Sequence, residues 1–196
     1  LEELLINYDI IKNPEPKILD LSCGCGNFLL EAFDILYKLI KTNLKAINEK
    51  YGEHYIDNIS THIITKCIYG TDLDTNAIEI LKETLVEKKR FYDNQKYDFF
   101  ININNITCED GLKKNYNIKF DYIIGNPPYL NYSEIDESVR LNLKEKFETC
   151  KSGKFDYCYA FIEKSISELN ENGKFSYLVP GSIFKTVFGK NLREKI

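Results

Sequence analysis

Short apolar runs alternate along the chain with longer segments in which apolar residues recur every three or four positions. The short runs predict five strands, at residues 17–21, 63–69, 99–107, 120–124 and 175–179. Residues 28–40 have the i, i+3, i+4 and i+7 apolar spacing of an amphipathic helix. Further helices are predicted at residues 75–90, 137–147, 155–169 and 182–196.

Residues at the segment boundaries indicate where helices begin and end. Asp74 or Thr75 is expected to cap the helix that follows, because short polar side chains satisfy the free N–H groups of a first turn. Asn172 and Gly173 are expected to stop a helix. The polar segment 130–154 follows a predicted strand, and a segment of that length beside a strand end often serves as a functional lid.

Strands that alternate with helices favour a parallel sheet with helices on both faces. With right-handed crossovers, this pattern predicts a doubly wound, mainly parallel, Rossmann-like α/β fold. A length of 196 residues indicates one domain, spanning 1–196. The hydrophobic fraction of 43% excludes intrinsic disorder.

The net charge and the spacing of the cysteines argue against some classes of function. The net charge of −4 argues against a protein that coats nucleic acid, although a local basic groove remains compatible with it. The six cysteines form no C-x-x-C pair and there are only two histidines, so no metal site is expected. Free thiols are typical of a reducing cytoplasm, which is the expected location. No apolar run is long enough to cross a membrane, so no membrane partner is expected.

A glycine-rich segment follows the first predicted strand and precedes a helix: Asp20-Leu-Ser-Cys23-Gly24-Cys-Gly26. Such a loop lets backbone N–H groups approach a ligand closely. A dinucleotide fingerprint would need a third glycine where Leu29 stands, so a ligand with an adenosine but no pyrophosphate fits better. The alternative is a tight turn that needs glycine only for its backbone geometry.

Acidic residues follow the next two strands. Asp72, at the end of the second, could accept hydrogen bonds from both hydroxyls of a ribose. Asp110, after the third, could accept from an adenine amino group. Each acid also has a structural alternative, since aspartates at such positions often cap a helix or form an Asp-Gly turn.

Asn126-Pro127-Pro128-Tyr129 follows the fourth predicted strand. The two prolines fix the backbone around them. The Asn126 side-chain carbonyl and the Pro127 backbone carbonyl can both face one exocyclic amine, and the Tyr129 ring offers a face on which a planar ring can stack. The alternative is a proline turn with no chemical role.

Together these motifs resemble S-adenosylmethionine-dependent amino methyltransferases, and most closely the DNA adenine-N6 methyltransferases of restriction–modification systems. The order of the motifs resembles the gamma arrangement of that family. The segment from Gly125 to Tyr129 and the segment 154–164 resemble the type IIG branch, in which methylase and nuclease share one polypeptide. The resemblance covers about residues 17–195. It implies that the later strands and a recognition domain lie beyond Ile196.

The resemblance also implies a role for each motif residue. Four residues would surround the methionine part of the cofactor: Asp20, Cys23, Gly24 and Gly26. Asp72 would hold the ribose, Asp110 the adenine amino group, and Leu73 and Phe161 would pack on the adenine ring. The catalytic segment would be Asn126, Pro127, Pro128 and Tyr129, acting on an adenine flipped out of DNA.

The expected reaction is therefore direct methyl transfer from S-adenosylmethionine to N6 of adenine, with nuclease and recognition domains either fused or separate. Release-factor glutamine methyltransferases and some ribosomal RNA methyltransferases share the Asn-Pro-Pro-Tyr motif and remain alternatives. Comparing methyl transfer to DNA with methyl transfer to a release-factor peptide distinguishes a DNA methyltransferase from a glutamine methyltransferase. A non-enzymatic, cofactor-binding assembly subunit is the third alternative.

Overall fold

The computed structural model describes residues 2–5, 8–94, 101–181 and 192–193. Its strands form one five-stranded sheet in the order β3-β2-β1-β4-β5, and every pair of neighbours is parallel. This order is that of a doubly wound sheet, so the predicted fold class is confirmed. The strands are β1 (Ile18–Asp20), β2 (Ile68–Asp72), β3 (Ile106–Cys108), β4 (Phe120–Gly125) and β5 (Leu169–Tyr177).

Helices cover both faces of the sheet. Neighbouring residues of β1 show this arrangement directly, since Ile18 belongs to one apolar cluster and Leu19 to the other. The first cluster contains apolar residues of α2 and α4, and the second contains those of α5 and α6. The helices are α1 (Glu2–Leu5), α2 (Asn27–Tyr51), α3 (Ile59–His62), α4 (Thr75–Asp93), α5 (Glu137–Lys146) and α6 (Cys158–Glu168).

The second predicted strand begins five residues too early. Residues Ile63–Cys67 form a π-helical turn that continues α3, and β2 begins only at Ile68. The run is apolar because Ile63, Ile64 and Cys67 are buried in the core. Apolar content alone does not distinguish a buried strand from a buried helical turn.

The third strand is also shorter than predicted. Residues 99–100 lie outside the described residues, 101–105 form a loop, and β3 begins at Ile106. Asn105 holds this loop, because its side-chain amide donates to the backbone carbonyls of Ile64 and Thr65. The predicted helix at 182–196 lies outside the described residues except at positions 192–193, which are helical.

The last described strand starts earlier than predicted, and the expected helix stop at Asn172-Gly173 is wrong. Helix α6 ends at Glu168, and Asn172 and Gly173 lie within β5. The register of β5 shifts against β4 between Phe120 and Tyr122. A Cβ atom on Gly173 would lie 2.8 Å from the Phe120 carbonyl oxygen, so glycine serves the close approach of two strands.

Candidate active site

A cavity of about 360 Å³ lies at the carboxyl ends of β1, β2 and β4 and beside the loop after β3. The order of the sheet reverses between β1 and β4, and ligands of doubly wound folds bind at such a point. The structure brings six predicted site residues to the wall of this cavity: Asp72, Leu73, Asp110, Asn126, Pro128 and Phe161. Five further lining residues were not predicted: Leu21, Ser22, Glu109, Gly111 and Tyr157.

The glycine-rich loop is joined to the end of β2 by a hydrogen bond. Gly24 donates from its backbone N–H to Asp72 Oδ2 at 2.7 Å. Gly26 has a φ of +85°, and a Cβ atom there would lie 2.1 Å from Leu81 Cδ1 in α4. Glycine at position 26 therefore serves both the left-handed turn and the packing of α4 against the loop.

Asp72 has hydrogen-bonding capacity left over. Its Oδ1 accepts from the Asp74 N–H at 3.0 Å, in addition to the Gly24 bond on Oδ2. A carboxylate has about four lone-pair sites, so each oxygen can accept once more. Leu73, the next residue, is 70% exposed although it is large and apolar. The end of β2 thus offers a charged acceptor beside an uncovered apolar side chain.

Asp74 confirms the predicted cap of α4. Its Oδ1 accepts from the backbone N–H groups of Asn76 and Ala77, at 2.9 and 3.3 Å. These are two of the donors that a helix leaves unpaired in its first turn. The two acids of the β2 end therefore have separate tasks: Asp74 holds the helix, and Asp72 faces the cavity.

The structure does not bring the other six predicted site residues to the wall of the cavity: Asp20, Cys23, Gly24, Gly26, Pro127 and Tyr129. Asp20 is 1% exposed at the start of the glycine-rich loop, and its Oδ1 accepts from the Ser22 N–H at 3.0 Å. Burial raises the pKa of Asp20 to about 7. Cys23 is also buried, and burial raises the pKa of its thiol.

Asp20 also contacts the segment that carries the predicted chemistry. Gly125 has a φ of +152°, and a Cβ atom there would lie 2.6 Å from Asp20 Oδ1. A side chain at position 125 would therefore strike the Asp20 carboxyl group. This contact connects the loop after β1 to the residues after β4, although the sequence separates them by about a hundred positions.

Asp110 is held by its own loop. Its Oδ1 accepts from the Leu112 N–H at 3.0 Å, and its Oδ2 forms an ion pair with Lys113 Nζ at 3.1 Å. The next residue, Gly111, lies so close to β1 that a Cβ atom there would be 2.2 Å from the Leu21 carbonyl oxygen. This close approach places the Asp110 loop against the end of β1.

Pro127 is buried, whereas Asn126 and Tyr129 are exposed. The Tyr129 hydroxyl donates to Asn126 Oδ1 or to the Leu178 carbonyl oxygen, both of which lie within hydrogen-bonding distance. Leu178 in turn donates its N–H to the Gly125 carbonyl oxygen at 3.0 Å. The segment after β5 thus holds the loop after β4 at both ends.

Two aromatic residues of the α6 region line the cavity. The rings of Tyr157 and Phe161 have centroids 5.5 Å apart and meet edge to face. Tyr157 also donates its backbone N–H to the Leu130 carbonyl oxygen at 3.0 Å. The i, i+4 spacing of these aromatics along a predicted helix is the signal that could have identified Tyr157.

The described residues contain neither a cluster of metal ligands nor a helix that could span a membrane. No group of three or more potential metal ligands occurs among them. Nor does any described helix have the length and apolar content that a membrane span needs.

Residues 66–196 match the model of the Eco57I restriction-modification methylase family. The chain is 29% identical over 211 residues to the type II restriction enzyme and methyltransferase RM.Eco57I of Escherichia coli, covering 91% of this chain and 21% of that protein. The chain therefore spans about a fifth of the length of that relative.

Solved structures share the fold. A Listeria monocytogenes protein that is proposed to be a class I S-adenosylmethionine-dependent methyltransferase superposes with a TM-score of 0.56 at 19% identity, covering 98% of this chain and 45% of that one. The type ISP restriction-modification enzyme LlaGI, solved with a DNA substrate mimic, gives a TM-score of 0.70 at 15% identity, covering 99% of this chain and 18% of that one.

Proposed function

Because the chain belongs to the Eco57I restriction-modification methylase family, we propose that it carries the methyltransferase site of a DNA adenine-N6 methyltransferase. One observation supports this function above all. Asn126 and Pro128 line the same cavity as Asp72 and Asp110. Two acceptors suited to an adenosine, Asp72 and Asp110, and one suited to a target amine, Asn126, therefore line one cavity.

The residues of the cavity fit S-adenosylmethionine. Leu73 leaves apolar surface uncovered at the cavity wall, and Phe161 lines the same space, so a purine ring could pack on both. Asp72 has acceptor capacity for two ribose hydroxyls. Asp110 has capacity for an amino group beyond its bonds to Leu112 and Lys113. When bound, this cofactor supplies a methyl group on a positively charged sulfur.

The residues of the glycine-rich loop act in this proposal mainly by positioning. Gly24 and Gly26 set the turn that joins β1 to α2, and the Gly24 amide fixes the orientation of the Asp72 carboxylate. Asp20 and Cys23 of the same loop are buried. We propose that these four residues support the methionine part of the cofactor through the backbone rather than through their side chains.

Asn126 and Pro127 would prepare the target nitrogen. The lone pair of an adenine amine is delocalised into the ring, which makes it a poor nucleophile. Two carbonyl acceptors on its N–H bonds favour a tetrahedral nitrogen and offset the positive charge that develops during transfer. Neither carbonyl is a base at neutral pH, so the proton that the nitrogen loses leaves to water.

Tyr129 would hold the extruded base by stacking. Moving a base out of the duplex costs a few kcal/mol, and stacking on an aromatic ring offsets part of this cost. The phenol hydroxyl is within hydrogen-bonding distance of Asn126 Oδ1, so the Tyr129 hydroxyl and a target amine would use the same acceptor. DNA is the proposed partner, with recognition and nuclease segments either in the same polypeptide or in separate ones.

Paired substitutions in the full-length protein test the proposal, because they separate cofactor binding from chemistry. Asp72→Ala should weaken S-adenosylhomocysteine binding by about tenfold or more, since each hydrogen bond to a charged group contributes about 1.5–3 kcal/mol. Titration calorimetry measures this effect. Asp74→Ala is the matched control on the same loop, and its affinity should stay close to that of the parent.

Asn126→Ala should retain cofactor affinity and lose methyl transfer by about 10²–10³-fold, as expected for a group directed at charge in the transition state. Incorporation of labelled methyl groups into adenine-containing DNA measures the rate. Near-parent turnover of Asn126→Ala would overturn the catalytic assignment, and equal affinity of Asp72→Ala and the parent would overturn the cofactor assignment.

A further inference from the structure

A second cavity, of about 390 Å³, lies between α5 and the ends of β2 and β3. We call it the α5 cavity. It shares three lining residues with the first cavity: Leu73, Asp110 and Tyr157. Neither Asn126 nor Pro128 lines it, so it lies away from the segment that the proposed function assigns to the target base.

The floor of the α5 cavity is apolar and its rim is polar. Leu112 and Leu143 contribute buried apolar surface, and Val139 of α5 is 37% exposed. The polar lining residues are Lys113, Ser138, Asn142 and Lys146. A cavity of roughly 150 Å³ is large enough for a benzene ring. The α5 cavity therefore has the size and the apolar surface for a ring-sized group.

Asp110 stands at the boundary between the two cavities, since it lines both. In the proposed function, which this inference rests on, Asp110 accepts from the amino group of the cofactor adenine. A substituent on that nitrogen would start at Asp110 and would have the α5 cavity beside it. An adenine with one N6 substituent keeps one N–H for Asp110, and an adenine with two substituents keeps none.

We propose that the α5 cavity is a subsite for a substituent on N6 of the cofactor purine. The protein then binds adenosyl ligands that carry one apolar, ring-sized N6 group, with the ring against Leu143 and Val139. The site therefore discriminates only weakly against a single substituent on N6. The number of N–H bonds left on N6, rather than the bulk of the substituent, limits binding.

Titration calorimetry on the full-length protein with three ligands tests this proposal. The ligands are S-adenosylhomocysteine, its N6-benzyl derivative and its N6-benzyl-N6-methyl derivative. The first two should bind with affinities within about tenfold of each other. The third should bind at least tenfold more weakly than the second, because it has no N–H to donate to Asp110. An N6-benzyl ligand that binds more than a hundredfold more weakly than S-adenosylhomocysteine would overturn the subsite.

Two tryptophan substitutions on α5 locate the subsite. Val139→Trp fills the α5 cavity, so it should weaken the N6-benzyl ligand at least tenfold more than it weakens S-adenosylhomocysteine. Leu141→Trp is the matched control, because Leu141 lies on the same helix, is 62% exposed and does not line the cavity. It should leave the ratio of the two affinities unchanged. Equal ratios in the two variants would show that the benzyl group binds elsewhere.

The same measurements separate this inference from the proposed function. If S-adenosylhomocysteine binds and the N6-benzyl ligand does not, only the subsite is wrong. If S-adenosylhomocysteine itself does not bind, the cofactor assignment is wrong and the subsite is wrong with it.

Discussion

The carboxyl group of Asp20 is buried at the start of the glycine-rich loop, and its burial makes folding sensitive to pH. Its pKa is raised to about 7 in the folded chain, against an unfolded value of about 3.8. The folded state therefore holds a proton that the unfolded state releases between these values. The stabilisation is fully present below about pH 4 and is lost as the pH rises through about 7.

Asp20→Asn should remove this pH dependence, because an amide keeps an acceptor for the Ser22 N–H but does not ionise. The measurement is the free energy of unfolding at pH 5 and pH 7.5 in denaturant titrations. The parent should lose more stability than the variant between the two pH values. The same loss in both proteins would show that Asp20 does not titrate in this range.

Tyr129 has a ring and a hydroxyl with separable roles. If the ring stacks on the target base, Tyr129→Phe should keep most of the methyl transfer, whereas Tyr129→Ala should lose about 1–3 kcal/mol of base binding. The readout is the KM for DNA in the full-length protein. A Phe variant as impaired as the Ala variant would assign the role to the hydroxyl and its bond to Asn126.

At the scale of elements, α4 depends on a single side chain for its start. Asp74→Ala should destabilise the protein by about 1 kcal/mol, since the Asn76 and Ala77 N–H groups lose their acceptor. Asp74→Asn should cost less, because its side-chain oxygen can still accept. Denaturant unfolding of the three proteins measures the difference, and an unchanged midpoint for the Ala variant would contradict the cap.

Element positions were predictable where the local signal and the tertiary structure agree. The ends of β1 and β4 lie within one residue of their predicted positions, because each apolar run is short and bounded by polar or turn residues. The start of β2 was not predictable, since the isoleucines of 63–67 are buried in a π-helical turn as fully as they would be in a strand. An apolar run in the sequence indicates that its residues are buried, but it does not indicate their backbone conformation.

Some features of the candidate site were also predictable from the sequence, and others were not. Asp72, Asp110 and Asn126 were predictable because parallel strands bring their carboxyl ends to one edge. The burial of Asp20 was not predictable, because the sequence does not show that the Gly125 backbone packs against it. Tyr157 was missed although its i, i+4 spacing from Phe161 was visible in the sequence, because the spacing alone does not show that both rings reach the cavity wall.

At the scale of the whole molecule, the cavity joins both halves of the sheet, since its residues follow β1, β2, β3 and β4. A ligand bound there should require the folded chain and stabilise it as a unit. S-adenosylhomocysteine at a hundred times its dissociation constant should raise the free energy of unfolding by about 2.7 kcal/mol. Thermal unfolding at increasing ligand concentration measures this stabilisation.

Asp72→Ala provides the control for that measurement, because its stabilisation at the same ligand concentration should be smaller by the amount that its weaker affinity dictates. A melting temperature that does not change with ligand in the parent would contradict binding at this cavity. An equal change in both proteins would place the ligand away from Asp72.

The bond from the Gly24 amide to the Asp72 carboxylate joins the glycine-rich loop to the end of β2 through the chain's own atoms. A loop that such a bond holds in place has less conformational freedom for a ligand to restrict on binding. Arrival at such a preorganised site does not wait for a rearrangement, so related ligands differ chiefly in how quickly they leave. The residence time of the bound molecule, more than its rate of capture, should then distinguish a substrate, a spent product and an analogue at this edge of the sheet.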